Sequence, residues 1–221
     1  GGVEVFGGAG DNSLATVDPL TQTIVANGPV DVAGGSGGNA DGSIVSGGTQ
    51  NIVNTNGGVF LTGGAGAGAD AIISSLGAQS ITTGAGITGM GGAGDNADAL
   101  VTSSSTQSIG ASGDITLEGG TGTGSDAGVT ALGIQNISSL GDIALTGGTG
   151  VNADALITSS FDQTITAGGD ISLTGGPISG SDAIISNIGA QQGCSLLSFV
   201  CGAQQTLVAG GSIFLSPGIG L

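Results

Sequence analysis

The chain has no lysine, no arginine and no histidine among its 221 residues. Against 16 aspartates and glutamates this leaves a formal charge of −16 with no basic side chain to pair it. That absence excludes the electrostatic basis of nucleic-acid binding, because no side chain can neutralise a phosphate. Attraction to anionic lipid headgroups falls with it. Catalysis loses most of its instruments: there is no imidazole to carry protons near neutral pH, no amine for a Schiff base, no guanidinium to hold an oxyanion. Only carboxylates remain for such work. Aromatic residues are scarce too, five phenylalanines with no Trp or Tyr. No apolar run approaches the roughly 18 residues of a membrane span, which argues against membrane insertion. The opening GGVEVFGG lacks the basic and apolar regions of a signal peptide, so the sequence reads as a mature chain or an excised segment. The lack of Lys and Arg also removes every trypsin site, which suits life outside a cell.

What is present is glycine, 50 residues of it, and a hydrophobic fraction of 38%. Aliphatic residues recur at fixed places, so an ordered chain is expected in spite of the charge. The stretch GGAGDNADALVTSSSTQSIGASGDITLEGGTG at 91–122 returns at 147–176 as GGTGVNADALITSSFDQTITAGGDISLTGG. Glycine pairs begin at Gly7, Gly34, Gly63, Gly91, Gly119, Gly147 and Gly175, with gaps of 27, 29, 28, 28, 28 and 28. Gln22, Gln50, Gln79, Gln107, Gln135, Gln163 and Gln191 keep the same time, as do Asp70, Asp98, Asp126, Asp154 and Asp182. Three columns sharing a spacing of 28 define a repeat.

Each unit holds three short segments of strand character between small-residue turns. The first alternates apolar and polar residues, as in Ile171/Leu173 against Ser172/Thr174. The second carries Ala155 and Ile157, and the third Ile165 after Gln163. All are too short and too β-branched for helices. The expected fold is all-β: a right-handed parallel β-helix (β-solenoid) of about seven coils of 28 residues, three strands each, forming a single domain over 1–221. Stacked coils at a spacing of about 4.8 Å bury a core that no single coil can bury, and seven of them advance roughly 34 Å. An inward glutamine would bond to its counterpart one coil away; the alternative places it on a solvent-facing turn. In the second segment Ile72, Leu100, Leu156 and Ile184 fall on the outward parity. They are expected either to turn inward through a different register, the preferred reading, or to make lateral contacts.

The phrases TAGGDISLTGG, SLGDIALTGGTG and ASGDITLEGG resemble the repeats of filamentous haemagglutinin-like adhesins, secreted bacterial surface proteins built on right-handed parallel β-helices. The resemblance implies secretion, an extracellular or cell-surface location and adhesion. A weaker likeness, of GGAGDNADAL to the calcium-binding nonapeptide, places Asp98 two positions late and repeats every 28 residues instead of nine.

Carboxylates stacked on successive coils repel each other. Either each caps a turn by accepting backbone N–H bonds while facing solvent, or divalent cations such as Ca²⁺ bind along Asp70, Asp98, Asp126, Asp154 and Asp182. Asp114, Asp142 and Asp170 pose the same choice. A glycosidase needs a distinguished pair of acids, and every acid here repeats, so no enzyme is expected. One insertion, over 193–206, breaks the rhythm between two GAQQ words. It carries Cys194 and Cys201, expected to form a disulfide across its base and so to mark an oxidising compartment. Its Leu196, Leu197, Phe199 and Val200 suit an interface.

The sequence starts and finishes on the same strand type without an obvious cap, which leads to the functional expectation. This is an acidic extracellular subunit that stacks on itself head to tail into a surface or biofilm-matrix filament, with other matrix components as further partners. The stalk of a larger adhesin is the alternative. Ice binding through Thr rows is a lesser one: Thr164/Thr166 and Ser80/Thr82 fit it, and Ser108/Gly110 and Asn136/Ser138 break it.

Overall fold

A computed structural model describes residues 1–187 and 203–218. Every regular element in it is a strand. The first turn holds β1 (Val3–Phe6), β2 (Ala15–Val17) and β3 (Gln22–Ala26), the second β4 (Val30–Ala33), β5 (Gly42–Ser46) and β6 (Gln50–Asn54). The third holds β7 (Val59–Thr62), β8 (Ala71–Ser75) and β9 (Gln79–Thr83), the fourth β10 (Ile87–Met90), β11 (Ala99–Ser103) and β12 (Gln107–Ala111). There follow β13 (Ile115–Glu118), β14 (Ala127–Ala131) and β15 (Gln135–Ser139), then β16 (Ile143–Thr146), β17 (Ala155–Ser159) and β18 (Gln163–Ala167). The last are β19 (Ile171–Thr174), β20 (Ala183–Asn187), β21 (Gln205–Ala209) and β22 (Ile213–Ser216).

Every third strand pairs in parallel, giving three sheets that run along one axis. The first has eight strands from β1 to β22, the second seven from β2 to β20, the third seven from β3 to β21. The chain is therefore a parallel β-solenoid of about seven turns. Like sits on like: Ile109 lies between Ile81 and Ile137, and Ala127 between Ala99 and Ala155. Alternation then decides what is inside, because successive side chains of a strand point to opposite faces. Ile81, Ile137, Ile143 and Ile157 are at most 2% exposed. Burying such a side chain contributes about 1.5–3 kcal/mol.

The preferred inward placement of Ile72, Leu100, Leu156 and Ile184 is corrected here. Ala71 and Ile73 flank Ile72 and are fully buried, so the register turns Ile72 outward, where neighbours above and below leave it half-buried. Leu100 and Leu156 repeat this between buried neighbours, and Ile184 takes the same parity between the partly buried Ala183 and Ile185. The small Ala column, Ala71, Ala99, Ala127 and Ala155, is buried beside the corner between the first and second sheets.

That corner is a tight turn with one left-handed residue per coil. Asn39, Gly68, Asn96, Gly124, Asn152 and Gly180 occupy it, with φ of 50°, 62°, 50°, 64°, 53° and 77°. Asn and Gly alternate because the Asn amide leans over the next coil: a Cβ on Gly124 would lie 2.8 Å from Asn96 Oδ1. Asn tolerates this conformation and Gly adopts it freely. From Asn39 onward the structural period is thus two coils.

Candidate functional site: axial ladders and end faces

The glutamines stand at the first position of each third-sheet strand, pointing into the core. Gln50 Nε2 donates to Gln22 Oε1 at 2.6 Å, Gln79 to Gln50 at 2.7 Å, and Gln107 to Gln79 at 2.8 Å. Gln135, Gln163 and Gln205 continue at 2.8, 2.7 and 2.6 Å. The second amide proton goes to a second-sheet carbonyl, of the same coil for Gln50 (Ile44) and Gln135 (Val129) and of the following coil for Gln79 (Thr102). Each interior amide is thereby satisfied, which burial demands. The last rung is Gln205, in the second GAQQ word; Gln191 lies outside the described residues. The coil is back in place by Gln204, whose N–H donates to Asp162 Oδ1 at 2.9 Å and whose carbonyl accepts from Gln163 N–H at 2.8 Å. The proposed pair Cys194 and Cys201, with most of the 193–206 insertion, is outside the described residues.

The aspartates act between coils. Asp98 N–H donates to Asp70 Oδ1 at 2.9 Å, Asp126 N–H to Asp98 at 2.9 Å, Asp154 N–H to Asp126 at 2.8 Å and Asp182 N–H to Asp154 at 2.8 Å. Asp41 heads this column, accepting from Asp70 N–H. Asp114, Asp142 and Asp170 form a second, ending on Ser212 N–H at 2.7 Å. Each carboxylate from Asp41 to Asp154, and each of Asp114, Asp142 and Asp170, therefore bonds the coil that follows it. Asp70, Asp98, Asp126 and Asp154 are half-buried against the solvent-facing placement expected above. Among the described residues no three acidic or thiol groups gather where they could hold a metal ion.

Burial raises the Asp70, Asp98 and Asp126 carboxyl pKa values above the ordinary 3.8; the accepted N–H bond opposes this and the neighbouring carboxylate adds to it. Asp31 is raised by burial and by Glu4 directly opposite. The sign follows from linkage. Between the unfolded value and a raised folded one the native state holds more protons, so stability is greatest at the acid end and is lost as pH rises through the folded value. The melting temperature is expected to rise as pH is lowered from 7 to about 4. The triple substitution of Asp70, Asp98 and Asp126 by Asn, which keeps the acceptor and removes the charge, should flatten that profile. A melting temperature that falls steadily over this range, in the parent chain, would contradict it.

The outer face of the third sheet carries a mixed polar row, Thr23, Asn51, Ser80, Ser108, Asn136 and Thr164. It borders a shallow groove of about 670 Å³. The row is too irregular to form a flat lattice of like groups. No helix among the described residues is long and apolar enough to cross a membrane.

The two end faces differ from everything between them. At one end Ile213 and Leu215, members of the inward columns, are 47% and 75% exposed, whereas Ile143 and Leu145 in the same columns are 0% and 1%. At the other, Gln22 is 7% exposed and its Nε2 is buried without a hydrogen-bond partner. Of the two placements open for the glutamines, the inward one with coil-to-coil amide bonds is the one found. Comparison with protein-family models, curated proteins and solved structures returned no match.

Proposed function

We propose that this chain is a structural protein, an acidic extracellular subunit that extends by stacking its end faces into a filament with an adhesive role in a surface layer or biofilm matrix. The observation that carries the proposal is the exposure of Ile213 and Leu215 on an edge strand, in columns that are otherwise sealed. Edge strands with apolar inner residues are templates for further pairing. A fibre built on them buries the exposed rungs and satisfies the open main chain in one step. The absence of basic residues, the carboxylate columns and the uncharged polar outer row support a hydrated scaffold whose adhesion runs through its sides. Its partners are other copies of itself and neutral matrix components.

Negative-stain electron microscopy of the purified chain, over a concentration series at pH 7 and pH 4, tests this. Unbranched fibrils about as wide as one solenoid are expected, more abundant at pH 4 where less charge opposes contact. A chain that sediments as a monomer at every concentration and at both pH values would instead favour a spacer within a larger adhesin.

A further inference from the structure

The end faces are not flush. The first sheet has eight strands and the other two have seven, so the described solenoid is a whole number of turns plus one strand. If β1 of an incoming copy simply added to β22, the second and third sheets would each be left with an empty level. The terminal words point to a closer fit. β21 reads QTLVA and β3 reads QTIVA. Placing β3 of a second copy directly on β21 sets Gln22 on Gln205, Ile24 on Leu207, Val25 on Val208 and Ala26 on Ala209. Val25 and Val208 are 73% and 47% exposed, and the intervening places after Val53 hold Thr82, Gly110, Ser138 and Thr166. The same placement sets Ala15 on Ala183 and Val17 on Ile185. It also gives the orphaned Gln22 Nε2 an acceptor, the Oε1 of Gln205, which accepts no hydrogen bond among the described residues.

This fit leaves one first-sheet place for two strands, β22 of one copy and β1 of the next. β1 carries a repulsive pairing that β22 lacks. Its Glu4 lies directly opposite Asp31 on β4, and like charges directly opposite are destabilising. β22 would bring Phe214 to that position, with Ile213 and Leu215 on Val30 and Val32. The geometry points to strand exchange: β22 of one copy displaces β1 of the next and pairs with β4 there, while Gln205 receives Gln22. The occupant of each end face is thus a second copy of this chain, and the inference rests on the filament proposal above.

Two single substitutions in the full chain separate exchange from edge-on-edge addition. Val5→Pro unseats β1: the bonds from Val3 N–H to Pro29 O and from Gly7 N–H to Ala33 O set an alternation that also puts Val5 N–H on β4. Glu4→Val holds β1 down by removing the repulsion. Exchange predicts that Val5→Pro lowers the critical concentration for assembly, measured by sedimentation, and that Glu4→Val raises it by up to about fivefold. Addition to an intact β1 predicts the reverse signs. Gln205→Leu is expected to raise the critical concentration as well, since the incoming Gln22 then stays unpaired. Circular dichroism of the monomers checks that each variant is folded. If the parent assembles and Val5→Pro does not, exchange is overturned and the filament proposal stands; if neither the parent nor any variant assembles, both fall.

Discussion

Replacing Gly119 with alanine is expected to cost on the order of 4 kcal/mol, enough to remove a large part of the stability of an ordinary domain. The added Cβ would lie 2.2 Å from the carbonyl oxygen of Ala153 and 2.6 Å from the amide nitrogen of Gly148. Both are main-chain atoms of the next coil, so no side-chain rotation relieves the clash, and the coils must part locally. Gly110 supplies the control: its nearest foreign atom would be Ser138 Oγ at 3.7 Å. Gly110→Ala should be neutral or add about 0.5 kcal/mol by restricting the unfolded chain. Urea denaturation of the two variants decides it. A loss below about 1 kcal/mol for Gly119→Ala would mean that coils separate far more easily than their main-chain contacts imply.

The second large effect is expected at Gln107. Substitution by leucine leaves Gln79 Oε1 without its donor and removes the shorter of the two bonds that Gln135 Nε2 donates, the one to Val129 O remaining, both inside the core. Stranding one buried polar atom and depriving a second of its better bond costs about 2–3 kcal/mol. The same change at Gln22 should cost less than about 1 kcal/mol, because it removes an amide that is already orphaned while Gln50 keeps the carbonyls of Ile44 and Ser74. Thermal denaturation of both variants checks the contrast. Equal losses at the two positions would show that the row contributes as a set of independent side chains.

The columns of Ile, Ala and Gln could be read from the sequence because a parallel stack repeats chemistry at a constant spacing. Ile109 announces Ile81 and Ile137 before any coordinates are known. Other features were not so open. Ile72 and Ile73 are adjacent and equally apolar, so composition cannot say which faces the axis; the alternation that buries Ala71 and Ile73 settles it. Gln191 and Gln205 sit in duplicate words, and only pairing of β21 with β18 identifies the rung. For the aspartates, acceptance of backbone N–H bonds was one of the two readings left open; that the N–H comes from the next coil, from a residue 28 positions on, no local motif signals. The Asn–Gly alternation was present in NADA and GSDA all along. It becomes meaningful only when a left-handed φ is seen to recur at both.

The glutamine row has one further consequence. All six amide links run the same way, each later residue giving its proton to the earlier one. The core therefore contains a line of aligned dipoles with, among the described residues, an N–H lacking an acceptor at its tail and an oxygen lacking a donor at its tip. Two molecules meeting tip to tip would oppose oxygen to oxygen, and tail to tail N–H to N–H. Any thread these molecules spin is a vector, with distinguishable ends and one sense of growth for each.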